Sequence, residues 1–532
     1  MMDEYRQTLE QAKNLQRTEN GAIGYSTTGN VLVDLNFTVP SNHNNVSLED
    51  IHKFWASLEG DLVTTVKWLF YLRDVREGLG ERDSFVNLYI TLYNYDQDDA
   101  IKVLPLIPEY GRWKDVIDLL ERSKDDTPLA DAIYYLISKQ LKEDVINLSE
   151  GKSVSLLAKW MPSINASKKS RRIAIRLEKH LGFISMGYRK VLSALRKYID
   201  VTEVKTCGGD WDKVDYNKVS SNANSRYLNA FMKHDPERRK KYLEELAKPT
   251  PVGAVMHASN LYPHEVYAKY NINGRPRNIK GTWRSDEPAV ADPGIEALWN
   301  NLKNIPSTGN TMVVCDGSGS MESRINGSSV MAIDVARALG VFFAERCEGE
   351  FHNKLIEFSS YPEFIDLTKC ESLADKYNVM CMHDDCSNTN LEKVFDLLLK
   401  TTVEHKLPQD ELPQRILIVS DMEFDKAGEF TTAYDGSGYD RVMEQYRTLF
   451  DTIKMRWASK GYTMPEMVFW NVNSRTKTIP VTSNEVGVKL VSGFSVNNVK
   501  LILSGEIDPW TSLKSVLDSE RYLAVEDALK NA

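Results

Sequence analysis

Apolar residues in the first half of the chain recur at helical spacing. In DLVTTVKWLFYL, Leu62, Val66, Leu69 and Phe70 fall at i, i+4, i+7 and i+8, one face of a helix. Trp113, Val116, Ile117 and Leu120 in RWKDVIDLL repeat that spacing. Further helical patterns follow in DAIYYLISKQL, RRIAIRLEKHLGF, YRKVLSALRKYI and PERRKKYLEELA. Strand signals are scarce from Ser47 to Asn304, so this stretch predicts an array of short paired helices, although no clean fixed-period repeat is visible. The segment from Lys248 to Asp292 is richer in Pro, Gly and Asn and predicts long connections. Ahead of the array lies an extension rich in Asn, Thr and Ser, with one β-prone run, NVLVDLNFTV.

Past the linker in NNLKNIPSTGN the pattern changes. Short apolar runs (TMVVC, NKLIEFS, QRILIVS, EMVFWNV) alternate with helical stretches: SSVMAIDVARALGVFFAERC, TNLEKVFDLLLK and YDRVMEQYRTLFDTIKMRWAS. Such alternation implies a parallel sheet covered on both faces, a doubly wound α/β domain. The expected organisation is an extension at 1–46, a helical module at 47–304 and a linker at 305–310, followed by an α/β domain at 311–510 and a helical tail at 511–532.

Composition narrows the class. With 532 residues the chain is too long for one core, and 42% hydrophobic with 27% charged is ordinary for a globular protein. No apolar run approaches the ~20 residues that span a bilayer, and the polar N-terminus lacks a signal-peptide centre. Six cysteines without framework spacing fit a reducing compartment. A cytoplasmic protein with no membrane partner is the expectation. Net charge is −9, but Gly151 to Thr250 holds 22 Lys and Arg against 10 Asp and Glu, a local +12. Such a separation of sign steers polyanions even on an acidic protein.

The most chemically loaded stretch is TMVVCDGSGSM, Thr311 to Met321. A buried-looking strand ends in Asp316, and Ser318 and Ser320 follow at two-residue intervals. Ligands of open parallel sheets bind beyond the carboxyl ends of strands. Two other loops at that edge supply matching oxygens: Asp421 at the end of QRILIVSD, and Thr389 at the start of a helix in CSNTNLEKV. Two carboxylates and three hydroxyls make a hard, all-oxygen set suited to Mg²⁺ or another divalent cation. The set under-neutralises the metal and leaves a position for an acidic group of a partner. The plainer alternative is that the serines and Asp421 only cap helices. A hydrolase is not expected, because Gly317-Ser318-Gly319 lacks the G-x-S-x-G elbow and no histidine stands ready as a base.

The five residues Asp316, Ser318, Ser320, Thr389 and Asp421 resemble the metal-dependent adhesion site of von Willebrand factor type A domains, and the methionine after DGSGS resembles the intracellular branch. WLFYLRDVREGLGERDSF, LIPEYGRWKDV, LLAKWMPSINASKKSRRIAIRL, GYRKVLSALRKYIDVTE, VDYNKVSSNANSRY and LYPHEVY resemble motifs of the Ro (TROVE-type) RNA-binding module. ENGAIGYSTTGNVLVDLNF and VSDMEFD are similar to an uncharacterised Ro-like family of phages, large viruses and bacteria. The resemblance runs from about Glu19 to Asp508. It implies a HEAT-like ring or horseshoe of helical repeats followed by a von Willebrand A domain. It also implies a non-enzymatic protein that binds small or misfolded RNA, either structured or through single-stranded ends. A rival expectation is a protein-interaction adaptor, or a phage assembly component, whose metal grips an acidic residue of its partner.

KKSRRIAIRLEKHLGFISMGYRKVLSALRK is the candidate RNA face, with Lys168, Lys169, Arg171, Arg172, Arg176, Lys179, Arg189, Lys190, Arg196 and Lys197. Clustered cations release counterions from a polyanion, and Tyr188, His180 and Phe183 among them are candidates to stack on unpaired bases. A solvated helix face is the alternative, and Ile173, Ile175 and Leu177 mark part of the stretch as core. Cys381 and Cys386 in CMHDDC have zinc-like spacing without a second pair, so a polar loop is the better reading. Glu423 and Asp425 either tune the metal's field or cap their loop; Trp68, Trp113 and Trp160 read as core.

Overall fold

A computed structural model describes residues 14–165, 167–183, 186–248, 252–271, 288–326, 328–358, 362–383, 389–426 and 448–530. The chain forms two compact units, one from Met1–Asn45 with Leu261–Asp518, the other from Val46–Asn260 with Ser519–Ala532.

Among its described residues the second unit has helices joined by loops and no strand. Its helices begin where local chemistry starts them. Ser47 and Asp50 form a reciprocal capping box at Leu48–Gly60, and Asp61 accepts the Thr64 N–H at Leu62–Arg73. Thr127 caps Pro128–Ser149, whose first position is the proline that a helix start tolerates. Trp113, Val116, Ile117 and Leu120 are all buried, as their spacing predicts. Helix Leu62–Arg73 is buried from Thr64 onward, so the stripe read from its sequence is part of an all-round core helix. Inside it Arg73 and Asp115, both fully buried, pair at 2.7 Å, and the Arg73 Nε donates to the same carboxylate at 2.8 Å. A side chain on Gly111 would meet Asp115 Oδ2 at 2.2 Å, which explains the glycine in that turn.

The first unit is built on a six-stranded sheet. After the N-terminal hairpin β1 (Leu15–Arg17) and β2 (Ile23–Tyr25) come β3 (Thr311–Asp316), β4 (Lys354–Phe358), β5 (Pro362–Asp366), β6 (Arg415–Ser420), β7 (Glu466–Asn471) and β8 (Val488–Ser492). The order is β5-β4-β3-β6-β7-β8, parallel except for β5, which runs antiparallel at one edge. All of β3 and β8, and all but the first residue of β4, β6 and β7, is buried, which requires cover on both faces. Helix Ala332–Ala344 is buried at every position, packed against β3 and against the short helix Pro263–Tyr267. Gly340 lets it approach, since a Cβ there would lie 2.2 Å from Cys315 Sγ.

Several expectations change here. NVLVDLNFTV is helical over Val31–Thr38: Asn30 accepts the Leu32 and Val33 N–H groups, and burial on all sides overrides β propensity. The helix ends against the sheet, where Asn471 and Ser492 donate to the Phe37 and Asn36 carbonyls. The proposed linker is packed structure, with the Thr308 N–H bonded to Arg346 O and its carbonyl taking Thr311 Oγ1 and Arg415 Nη1. The boundary expected at 304 lies at Asn260/Leu261, and the expected tail divides: Pro509–Leu517 stays with the α/β unit, while Leu523–Lys530 joins the helical one.

Candidate metal centre and basic helical face

Chain direction across the sheet reverses between β3 and β6, the position where open α/β sheets form a crevice. Asp316 closes β3, and Asp421 follows the last residue of β6. Parallel pairing of Cys315 with Val419 aligns the two strand ends. Both aspartates are fully buried, Ser318 and Thr389 are 1% exposed, and Ser320 is half-buried. Ser318 Oγ lies 3.0 Å from Ser320 Oγ. Asp316 Oδ1 accepts the Ser318 N–H at 2.9 Å, and Oδ2 accepts the Ser420 hydroxyl at 2.5 Å. Asp421 Oδ1 accepts the Glu423 N–H at 3.1 Å, while its Oδ2, buried, accepts no hydrogen bond. Thr389 is tied to the Asp421 loop through its carbonyl, which accepts the Asp425 N–H at 2.9 Å.

The capping alternative does not account for these hydroxyls. Ser318 precedes the 3₁₀ turn Gly319–Glu322 but caps it with no side-chain bond, and helix Ala332–Ala344 starts after Met331. Both carboxylates are held above their ordinary range. Burial, then the Asp421 charge, pushes Asp316 up to about 7 against the Ser420 and Ser318 hydrogen bonds. Burial pushes Asp421 up to about 6, opposed by the Ser320 hydroxyl and Arg475. Met422, next in the chain, sits at φ +64°, a conformation a side-chain-bearing residue adopts only when its surroundings hold it. Among the described residues no group of three or more His, Cys, Asp or Glu gathers as a metal cluster. The candidate set differs in kind, two carboxylates with hydroxyls, and that donor chemistry fits a hard divalent ion.

In the sequence Glu423 reads as tuning the metal's field or capping its loop, and Ser420 and Arg475 are missed. Glu423 is fully buried and accepts the Arg475 and Thr476 N–H groups at Oε1 and the Glu19 N–H at Oε2, so it anchors backbone. Arg475 Nη1 stands 3.4 Å from Asp421 Oδ2. Ser420 was legible in principle, being the residue before Asp421 on a parallel neighbour of β3. Arg475, in a loop 54 positions on, carries no local signal. Asp425 pairs its backbone with Gly21 as well as with Thr389. Of CMHDDC, residues 384–386 lie outside the described residues; Cys381 is half-buried, and His383 pairs with Glu363 at 2.5 Å.

On the helical unit, Lys168–His180 and Gly187–Tyr198 carry the basic stretch. Lys168, Arg171, Arg172, Lys179, Arg189, Lys190 and Lys197 are exposed and form no ion pair with other described residues, whereas exposed Lys169 pairs with Glu121. Two of the ten cations are structural. Arg176 donates to the Leu120 and Ser123 carbonyls and pairs with Asp125, closing the end of helix Trp113–Arg122. Arg196 donates to Ala158 O, Met161 O and Ser163 Oγ at 2.8, 2.5 and 2.8 Å. Tyr188 is 1% exposed and its hydroxyl donates to Pro162 O, so burial denies it to a base; Phe183 packs edge-on against it. His180, exposed, stacks one face on Tyr134 at 3.9 Å. Ile175, expected in the core, is 47% exposed, while Ile173 and Leu177 are buried. Trp68 and Trp113 are buried as expected, and Trp160 is half-buried. A neighbouring surface that the sequence reading passed over is helix Pro128–Ser149, where Tyr135 is 72% exposed beside exposed Lys139 and Lys142, with Glu143 among them.

Residues 310–526 match a family described as "Domain of unknown function (DUF7788)", and residues 174–305 match one described as "Domain of unknown function (DUF2828)". An uncharacterized protein of Acanthamoeba polyphaga mimivirus is 29% identical over 541 residues, which cover 95% of this chain and 87% of the viral protein.

Proposed function

We propose that this is an RNA-binding protein of the Ro-like kind, acting by binding and not by catalysis, with a von Willebrand A-type domain as its α/β unit. Seven exposed cations without ion-pair partners among the described residues, on two consecutive helices, carry the RNA reading. Neutral surfaces do not accumulate unpaired like charge at that density, and a polyphosphate is the ligand that offsets it. Tyr135 with Lys139 and Lys142 extends the same chemistry with a ring for stacking.

For the α/β unit, the strand order with one antiparallel edge and the facing Asp316 and Asp421 at the point of reversal support the von Willebrand A reading. Asp316, Ser318, Ser320, Thr389 and Asp421 would hold Mg²⁺, which supplies a Lewis-acidic bridge to an acidic group of a partner. The protein's own part is to hold the serine hydroxyls and carboxylates in place and to leave one side of the ion to the partner.

The test is the nucleic acid that travels with the full-length protein. Purified at low salt, wild type should carry RNA, and the triple reversal Lys168→Glu, Arg171→Glu, Arg172→Glu should carry none while keeping its far-UV circular dichroism. RNA retained by a folded triple variant overturns the assignment.

A further inference from the structure

Asp421 Oδ2 has one cation beside it among the described residues, Arg475 Nη1 at 3.4 Å. The same guanidinium is shared: its Nη2 lies 2.7 Å from Glu19 Oε2, on the turn of the N-terminal hairpin. Glu423 fixes this pairing. Its buried carboxylate accepts the Glu19 N–H at 2.9 Å on one oxygen and the Arg475 and Thr476 N–H groups at 2.9 and 2.8 Å on the other. Asn20 adds to the hold, donating to Glu423 O at 2.6 Å and lying 3.4 Å from Thr389 Oγ1, while its carbonyl accepts the Lys426 N–H. Thr18 Oγ1 donates to Phe424 O. The hairpin turn is thus bound to two of the loops that supply the candidate ligands.

From this we infer that Arg475 is a built-in counter-cation for Asp421, which a divalent ion must displace, and that Glu19 is the group onto which Arg475 retreats. The inference rests on the metal-site reading above. A divalent ion and a guanidinium compete for the same buried oxygen, and two positive charges a few ångströms apart repel strongly where water is excluded. Arg475 can withdraw without leaving its charge unpaired, because Glu19 already holds its other nitrogen and is about half exposed at the rim. The metal affinity of the site is therefore set by the protein's own N-terminal segment.

The experiment is a double-mutant cycle on the full-length protein, with Mn²⁺ alone as the probe and free Mn²⁺ read by electron paramagnetic resonance. Arg475→Gln keeps the backbone N–H on Glu423 and removes the competitor, so Mn²⁺ binding should tighten by about tenfold or more. Glu19→Gln returns the whole guanidinium to Asp421 and should weaken binding; in the Arg475→Gln background it should change nothing. Without metal, Arg475→Gln should melt lower than wild type, and with Mn²⁺ it should gain more than wild type gains. A purely structural Arg475 would give weaker binding on substitution and additive effects, and either result overturns the displacement. If Arg475→Gln fails to fold, Glu19→Gln alone decides: unchanged or tighter binding sinks the inference. Absence of Mn²⁺ binding in wild type and both variants overturns the metal site itself, and this inference with it.

Discussion

Arg521 holds Asp74 with two nitrogens, Nε to Oδ2 at 2.8 Å and Nη2 to Oδ1 at 3.1 Å, across 447 positions of chain. Asp74 is fully buried, and Tyr522 donates its hydroxyl to the same carboxylate. A third nitrogen of Arg521 reaches Glu109 at 3.0 Å. Removing the arginine strands a buried charge. Arg521→Ala should cost about 3 kcal/mol of unfolding free energy, measured by urea titration, and Arg521→Lys should recover little of it because one ammonium cannot make the paired contact.

The choice of arginine decides what a mutation on the basic face reports. Arg176 and Arg196 close helix ends through backbone carbonyls, so reversing either should lower the melting temperature whether or not RNA is present. Reversing Lys168, Arg171 and Arg172 should leave melting unchanged within about 0.5 kcal/mol and abolish RNA retention. Each lost phosphate contact should flatten the dependence of binding on salt by about one unit of logarithmic slope.

Tyr135→Ala should distinguish single-stranded from duplex RNA. Loss of a stacking platform costs about 1–3 kcal/mol on unpaired bases. Affinity for a single-stranded oligonucleotide should fall by at least that lower figure, read by fluorescence anisotropy, while duplex binding holds.

Asp316 and Asp421 face each other buried, and each is held above its ordinary range. Asp316→Asn removes one of the two charges, so the metal-free variant should melt no lower than wild type. Mg²⁺ at a hundred times its dissociation constant should stabilise wild type by about 2.7 kcal/mol and the variant not at all. Differential scanning calorimetry with and without the ion tests both statements.

His264 gives the α/β unit an acid limit. Burial, with His43 adding to it, holds this imidazole down at about 3, between Tyr262 and Phe494. The folded state therefore binds its proton less readily than the unfolded chain does. The stability it contributes is complete above pH 6.5 and is lost progressively as pH falls towards 3, by about 1.4 kcal/mol per unit at the steepest. His264→Phe should flatten the fall in urea midpoint between pH 6.5 and 4.5 by the equivalent of one proton.

Periodicity was a sound guide wherever the deciding forces were local. TMVVC, NKLIEFS, QRILIVS and EMVFWNV became β3, β4, β6 and β7, and helices Ala332–Ala344, Leu391–Glu404 and Leu449–Ser459 fell where apolar spacing put them; residues 439–447 of the last stretch lie outside the described residues. β5 escaped notice because an edge strand carrying Pro362, Glu363 and exposed Phe364 has no apolar alternation to show. Asp316, Ser318, Ser320 and Asp421 were legible because a strand that ends in oxygen donors is visible in one dimension. Arg475 and Glu19 were not, since they stand far apart in the chain and pair directly only once the buried Glu423 has anchored both their backbones. Nor does sequence say that Arg176 faces carbonyl groups while Arg172, four positions earlier, faces solvent.

The backbone of Tyr25 exchanges both its hydrogen bonds with Ile479, at 2.7 and 2.9 Å. During synthesis at about 5–20 residues per second, the N-terminal hairpin leaves the ribosome tens of seconds before the strand region it docks on. The helical unit is made in that interval, yet it too waits for its last piece, Ser519–Ala532. Each unit thus waits for a segment made late, and a nascent chain stalled between Leu261 and Asp518 holds two incomplete cores at once.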